Sequence, residues 1–164
     1  MSLDGEKPTN PRLSSPAVLL ATWFGAGYLP KAPGTWGSLA ALPFAWGIAN
    51  LSGSVGLIAA SLLVFVIGIW ASNVYMGLTG GEDPGPVVID EVAGMWLTLA
   101  FVPPDLGLYA AGFVLFRIAD IFKPWPAGWA DRNIKGGLGV MLDDVLAALY
   151  SGGIVFALFY WKVI

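Results

Sequence analysis

The sequence predicts an all-α protein: a polytopic membrane helical bundle with short or partly inserted helices and a polar cytoplasmic active-site face. Three observations predict it. Hydrophobic residues make up 57% of the 164 residues and charged residues only 12%, about half the share of a soluble domain. Apolar runs alternate with glycine- and proline-rich turns, and the mean hydropathy is +0.73. Eight Trp and five Tyr suit anchoring at membrane–water interfaces. The length fits one domain.

Composition also excludes. A net charge of −3 leaves no nucleic-acid footprint. The chain has no Cys and no His. Disulfides, thiolate nucleophiles, Cys/His zinc sites and Ser-His-Asp triads are therefore ruled out. Acid–base or metal chemistry must come from oxygen donors, Lys and Arg, and oxygen-only ligands favour Mg²⁺, Mn²⁺ or Ca²⁺.

Residues 1–15 are polar, with Pro8 and Pro11, and read as a disordered tail before a single domain over 16–164. The apolar run 16–24 is too short for a bilayer and does not read as a secretory signal. It is expected at the interface or as a re-entrant piece. Residues 25–38, GAGYLPKAPGTWGS, form a glycine-rich turn. Pro33-Gly34 suits a type II turn, and Thr35 suits a cap for the helix that follows. Such a turn offers backbone N–H groups to an anion, and Lys31 adds a charge. The GK[ST] ending of a nucleotide P-loop is missing.

The runs 38–51 and 55–72 read as a helical hairpin joined at Ser52-Gly53-Ser54, the first arm kinked or tilted by Pro43. A polar loop, 73–86, holds Glu82 and Asp83. The run 87–102 opens VVIDEVAG, with Asp90 and Glu91 adjacent in apolar surroundings. Removing water from a carboxylate is expensive, so this pair needs a cation, a donor or a proton. Neighbours on a helix point about 100° apart, so the two side chains are expected to diverge. Acids also favour the positive end of a helix, which is the plainer account of the pair.

Residues 103–105 turn the chain and 106–116 run back. The stretch 117–144 is the longest polar one. Arg117 and Asp120 share a helix face, Lys123 follows, and Pro124 and Pro126 stop the helix. Gly136-Gly137-Leu138-Gly139 leads to a second acid pair, Asp143-Asp144, at the head of the last run, 145–161. There too the pair has a plainer account, as acids at a helix start.

Five spans place the glycine turn, 73–86 and 117–144 on one side. Lys31, Arg117, Lys123, Arg132 and Lys135 lie there, against Lys162 on the other, so the first side is cytoplasmic by the positive-inside rule. Most of the acids gather there as well. Carboxylates at this density repel one another unless a metal is bound. Carboxylates with Mg²⁺, beside Lys and Arg, are suited to phosphate chemistry. Hydrolysis of a phosphate ester on a lipid head group is the expected activity. The rival is a cation-coupled transporter using the same acids, although they gather at one side and line no path across. Direct attack by a metal-activated water is the expected route, with an aspartyl-phosphate as the alternative.

Three blocks together resemble the phosphatidylglycerophosphatase A family of bacterial membrane lipid phosphatases: GAGYLPKAPGTWGS (25–38), DPGPVVIDEVAG (83–94) and FRIADIFKPWPAGWADRNIKGGLGVMLDDVLAALYSG (116–152). The resemblance implies Mg²⁺-dependent removal of the terminal phosphate of phosphatidylglycerophosphate at the bacterial inner membrane, among membrane lipids. It implies that Asp90, Glu91, Asp120, Asp143 and Asp144 are catalytic. Asp83, Asp90, Glu91, Asp120 and Asp144 would hold metal, and Lys31, Thr35, Arg117 and Lys123 would serve phosphate.

Overall fold

The computed structural model describes residues 11, 13–82 and 84–164. Most of the 1–15 tail and Asp83 therefore lie outside the described residues. Among the described residues six α-helices form the fold: α1 (Pro16–Ala21), α2 (Pro33–Thr79), α3 (Ile89–Leu99), α4 (Leu106–Phe122), α5 (Ala127–Asn133) and α6 (Gly136–Tyr160). A 3₁₀ turn, Ala26–Tyr28, links α1 to α2.

The expected hairpin is present within α2, and a single residue makes its turn. Gly53 has φ 62° and ψ −161°, a backbone conformation natural to glycine, and it is the one non-helical residue inside α2. Pro43 keeps helical dihedrals, so the expected kink falls at Gly53 instead. Both arms pack on α3. Trp96 Nε1 donates to the Ala41 carbonyl at 3.0 Å, and Ser61 Oγ donates to the Ala93 carbonyl at 2.7 Å. In a straight helix, positions 41 and 61 would lie about 30 Å apart, so these two bonds require the fold-back. Gly37 and Gly68, on opposite arms, likewise meet the adjacent residues Val88 and Ile89.

α3 is the central strut. Its Gly94 lies against the Phe116 ring of α4 and the Asp144 carbonyl of α6. Further along, Thr98 and Ser151 share a hydrogen bond of 2.8 Å, and Leu99 meets Gly112. α3 thus runs parallel to α6 and antiparallel to α4. Val88, Val92, Met95, Leu99 and Phe116 are fully buried in this core. At 11 residues, α3 is about 16 Å long and cannot cross a bilayer of about 30 Å by itself. α2 and α6 are long and apolar enough to cross one, by length and composition.

The polar ends are pinned. The Val88 amide donates to the Ala21 carbonyl at 2.8 Å, so the buried α1 braces the entry to α3. Asp105 caps α4, accepting from the Gly107 and Leu108 amides. Asn73 Oδ1 accepts from the Gly137 amide at 2.8 Å and fixes the start of α6 to α2.

Candidate active site

Helix direction brings the polar ends together. The start of α2, the start of α3, the end of α4 and the first third of α6 surround one pocket of about 460 Å³. Asp90, Glu91, Arg117, Asp120, Lys123, Asp143 and Asp144 all line it. Residues as far apart in number as Ala32 and Asp144 converge here because the two arms of α2, then α3, α4 and α6, alternate direction.

The side chains separate into two groups. Asp90, Glu91 and Asp144 each offer a carboxylate oxygen, and these oxygens lie within 4.8 Å of one another. The expected divergence of Asp90 and Glu91 is not what occurs: both are in the first turn of α3, yet their oxygens converge on Asp144. At an effective dielectric of about 20, each pair of like charges at that distance costs about 3 kcal/mol. Three such pairs rival the whole stability of a small domain, so the group needs a proton or a cation. Arg117 supplies part of that charge, 2.6 Å from Asp120 and 3.6 Å from Glu91. Asp90 Oδ1, Glu91 Oε2 and Asp144 Oδ2 remain buried without hydrogen-bond partners among the described residues. Unpaired, converging, hard oxygen donors fit a metal ion.

The second group carries its own cation. Lys123, at the C-terminal end of α4 with φ 45°, donates to Asp131 Oδ1 at 2.5 Å and to Asp143 Oδ2 at 2.6 Å. Burial works against the Lys123 charge, but the bonds and charges of Asp131 and Asp143 outweigh it and hold the ammonium above its ordinary pKa. At the rim, Lys135 donates to Glu82 at 2.9 Å. That bond lowers the Glu82 pKa and raises that of Lys135, although both side chains are mostly exposed.

Asp143 and Asp144 are not at a helix start. α6 begins at Gly136, so the pair lies two turns in, 5% and 2% exposed. The helix-start account fails for them. The glycine turn is corrected in a different way. Pro33 and Gly34 form the first turn of α2, Ala32 is the cap, and Thr35 lies inside the helix. Ala32, Pro33 and Gly34 line the pocket, whereas Lys31 and Thr35 do not. Gly34 is there for space: a Cβ at this position would run into the Glu91 carboxylate and come within 2.9 Å of Arg117 Nη1. Asp131 joins the pocket although nothing in the sequence singles it out. It reaches Lys123 across the Pro124–Pro126 turn, and no helical spacing signals that contact.

Residues 19–159 match the model of the family described as Phosphatidylglycerophosphatase A. A phosphatidylglycerophosphatase A of Escherichia coli is 43% identical over 146 residues, covering 88% of this chain and 84% of that protein. One from Haemophilus influenzae is 39% identical over 152 residues, covering 92% and 93%. A Bacteroides thetaiotaomicron protein, provisionally named a phosphatidylinositol-3-phosphatase, is 44% identical over 141 residues, covering 82% and 87%. No solved structure matches the chain. The chain belongs to the phosphatidylglycerophosphatase A family. These comparisons lend no support to the transporter reading.

Proposed function

We propose that this chain hydrolyses the terminal phosphate ester of phosphatidylglycerophosphate, giving phosphatidylglycerol and inorganic phosphate. The observation that carries the reading is the pocket itself: three converging carboxylates, only Glu91 of them paired with a cation, facing Arg117 and Lys123, in a chain 43% identical to a phosphatidylglycerophosphatase A. Asp90, Glu91 and Asp144 would hold the metal, with Asp120 beside them on Arg117. Mg²⁺ suits hard oxygen donors at a phosphate site. When bound, it would neutralise phosphoryl charge and lower the pKa of water.

The chain's own residues supply the rest. Arg117 and Lys123 would bind phosphoryl oxygens, and the positive end of α2 at Pro33-Gly34 would add to their field. Asp143, held on one oxygen by Lys123 and unpartnered on the other, would take the proton of the attacking water. The water oxygen bonds to phosphorus as the bond from phosphorus to the glycerol oxygen breaks. The released alcohol oxygen then takes up a proton.

The arms of α2 and helix α6 would cross the inner membrane, with the pocket at its cytoplasmic face. Phe122, Trp125 and Trp129, all exposed beside Lys123 and α5, suit that interface. Asp83 belongs to the same proposal as a further metal ligand, on the family motif alone, and Lys31 and Thr35 as more distant phosphate contacts.

Purified protein should release phosphate from phosphatidylglycerophosphate with Mg²⁺ and stop with EDTA. Phosphatidylinositol 3-phosphate, offered in the same micelles, tests the substrate. Faster release from the inositol lipid would overturn the assignment while keeping the phosphatase.

A further inference from the structure

A second groove, apolar and about 440 Å³ in volume, opens between the first arm of α2 and the start of α4. Leu42, Pro43 and Trp46 form one wall, and Leu106, Tyr109 and Ala110 the other. The same two helices border the acidic pocket, α2 through Pro33 and Gly34, α4 through Arg117 and Asp120. One seam thus has a charged end and an apolar end.

Two side chains with a donor group line the apolar end, Tyr109 and Trp46. Tyr109 is 4% exposed, and its hydroxyl has no hydrogen-bond partner among the described residues. Leaving a buried hydroxyl unpaired is costly, so a partner is expected. Trp46 meets the Tyr109 ring edge-on, with centroids 5.2 Å apart. From position 109 to position 117 is about 12 Å along the helix. Tyr109 therefore lies deeper than Arg117 by roughly the span of a glycerol-phosphate head group.

We infer that this groove takes the first stretch of an acyl chain of the lipid substrate, with the Tyr109 hydroxyl donating to its ester carbonyl. The inference rests on the reading of the acidic pocket as a lipid-phosphate site. An ester carbonyl is the acceptor found where a phospholipid changes from polar to apolar. A groove with apolar walls and two donors, the Tyr109 hydroxyl and the Trp46 indole N–H, is complementary to that junction and not to a free head group.

The test compares a diacyl phosphatidylglycerophosphate in mixed micelles with its deacylated, water-soluble head group. Ala110 is exposed, so Ala110→Trp fills the groove without disturbing the core. It should raise KM for the diacyl substrate about tenfold at near-constant kcat, as expected for lost uniform binding. Tyr109→Phe should lower the ratio of kcat/KM, diacyl over head group, by about two- to tenfold, the value of one hydrogen bond. An unchanged ratio in both variants, or an equal fall for both substrates, overturns the inference.

A second readout needs no turnover. The chain has no Cys, so Leu42→Cys places a single thiol in the groove. Dioleoyl phosphatidylglycerol should slow its reaction with a maleimide several-fold beyond detergent alone, and glycerol phosphate should not. Protection by detergent equal to that by lipid would mean a merely greasy surface and would overturn the inference. If the wild-type protein hydrolyses neither substrate, the reading of the pocket fails, and the thiol result still decides the groove.

Discussion

Asp143 and Asp144 are neighbours in sequence and equally buried, yet they belong to opposite halves of the pocket. Asp143 turns toward Lys123 and shares that cation with Asp131. Asp144 turns toward Asp90 and Glu91, where the carboxylates outnumber the single guanidinium of Arg117. In the Lys123 half one ammonium holds two carboxylates in direct ion pairs. In the Asp144 half one guanidinium faces Asp90, Glu91, Asp120 and Asp144, an excess of negative charge that calls for a proton or a cation. That difference marks the Asp144 half as the candidate metal site, and the sequence, which shows two similar acid pairs, does not reveal it.

The contrast can be broken experimentally at several points. The largest effect belongs to Asp144→Asn. Phosphate release should fall by more than about a hundredfold, since even outer partners of metal sites cost 10–100-fold. Activity within a few-fold of wild type would move the metal site elsewhere. Next comes metal itself. Mg²⁺ at about 100 times its Kd should add about 2.7 kcal/mol to unfolding stability, read as a raised thermal midpoint, and Asp144→Asn should remove that gain. In EDTA the same variant should be no less stable than wild type, because it relieves like-charge repulsion.

On the other half, Lys123→Met leaves Asp143 buried without its cation. Its cost should be about 2 kcal/mol by denaturant midpoint, below the 3–5 of a fully buried pair because the lysine stays 31% exposed. That loss should be the same with and without Mg²⁺. A loss seen only with Mg²⁺ would merge the two halves. Gly34→Ala should act across both, pushing the Glu91 carboxylate aside and lowering activity with little change in stability in EDTA. The smallest effect is Thr35→Ala, which lies outside the pocket lining and should change kcat/KM less than about threefold.

Much of this was legible in the chain. The hairpin, the turn at 103–105, the face shared by Arg117 and Asp120 and the stop after Phe122 all follow from local patterning and proline chemistry. The gathering of acids on one side followed from counting reversals. Side-chain direction did not follow. Asp90 and Glu91 were expected to diverge by helical geometry, but the wall built by α6 gives both carboxylates a common point. The helix starts were also misplaced. α6 begins at Gly136, earlier than its apolar run, because Asn73 caps it from another helix. Thr35 resembles a cap in sequence, yet Pro33 starts α2 two residues before it. Asp131 reached the pocket through a turn, where no periodicity could announce it. Local rules fixed the elements, and tertiary contact fixed which charges meet.

The most direct test of the split pocket is equilibrium binding of Mn²⁺, as a spectroscopic stand-in for Mg²⁺, to the wild-type protein, Asp144→Asn and Asp131→Asn. Binding that is lost in Asp144→Asn and kept in Asp131→Asn is the predicted result. Binding that survives Asp144→Asn, or that disappears with Asp131→Asn, would contradict the division of the pocket into a metal half and a lysine half.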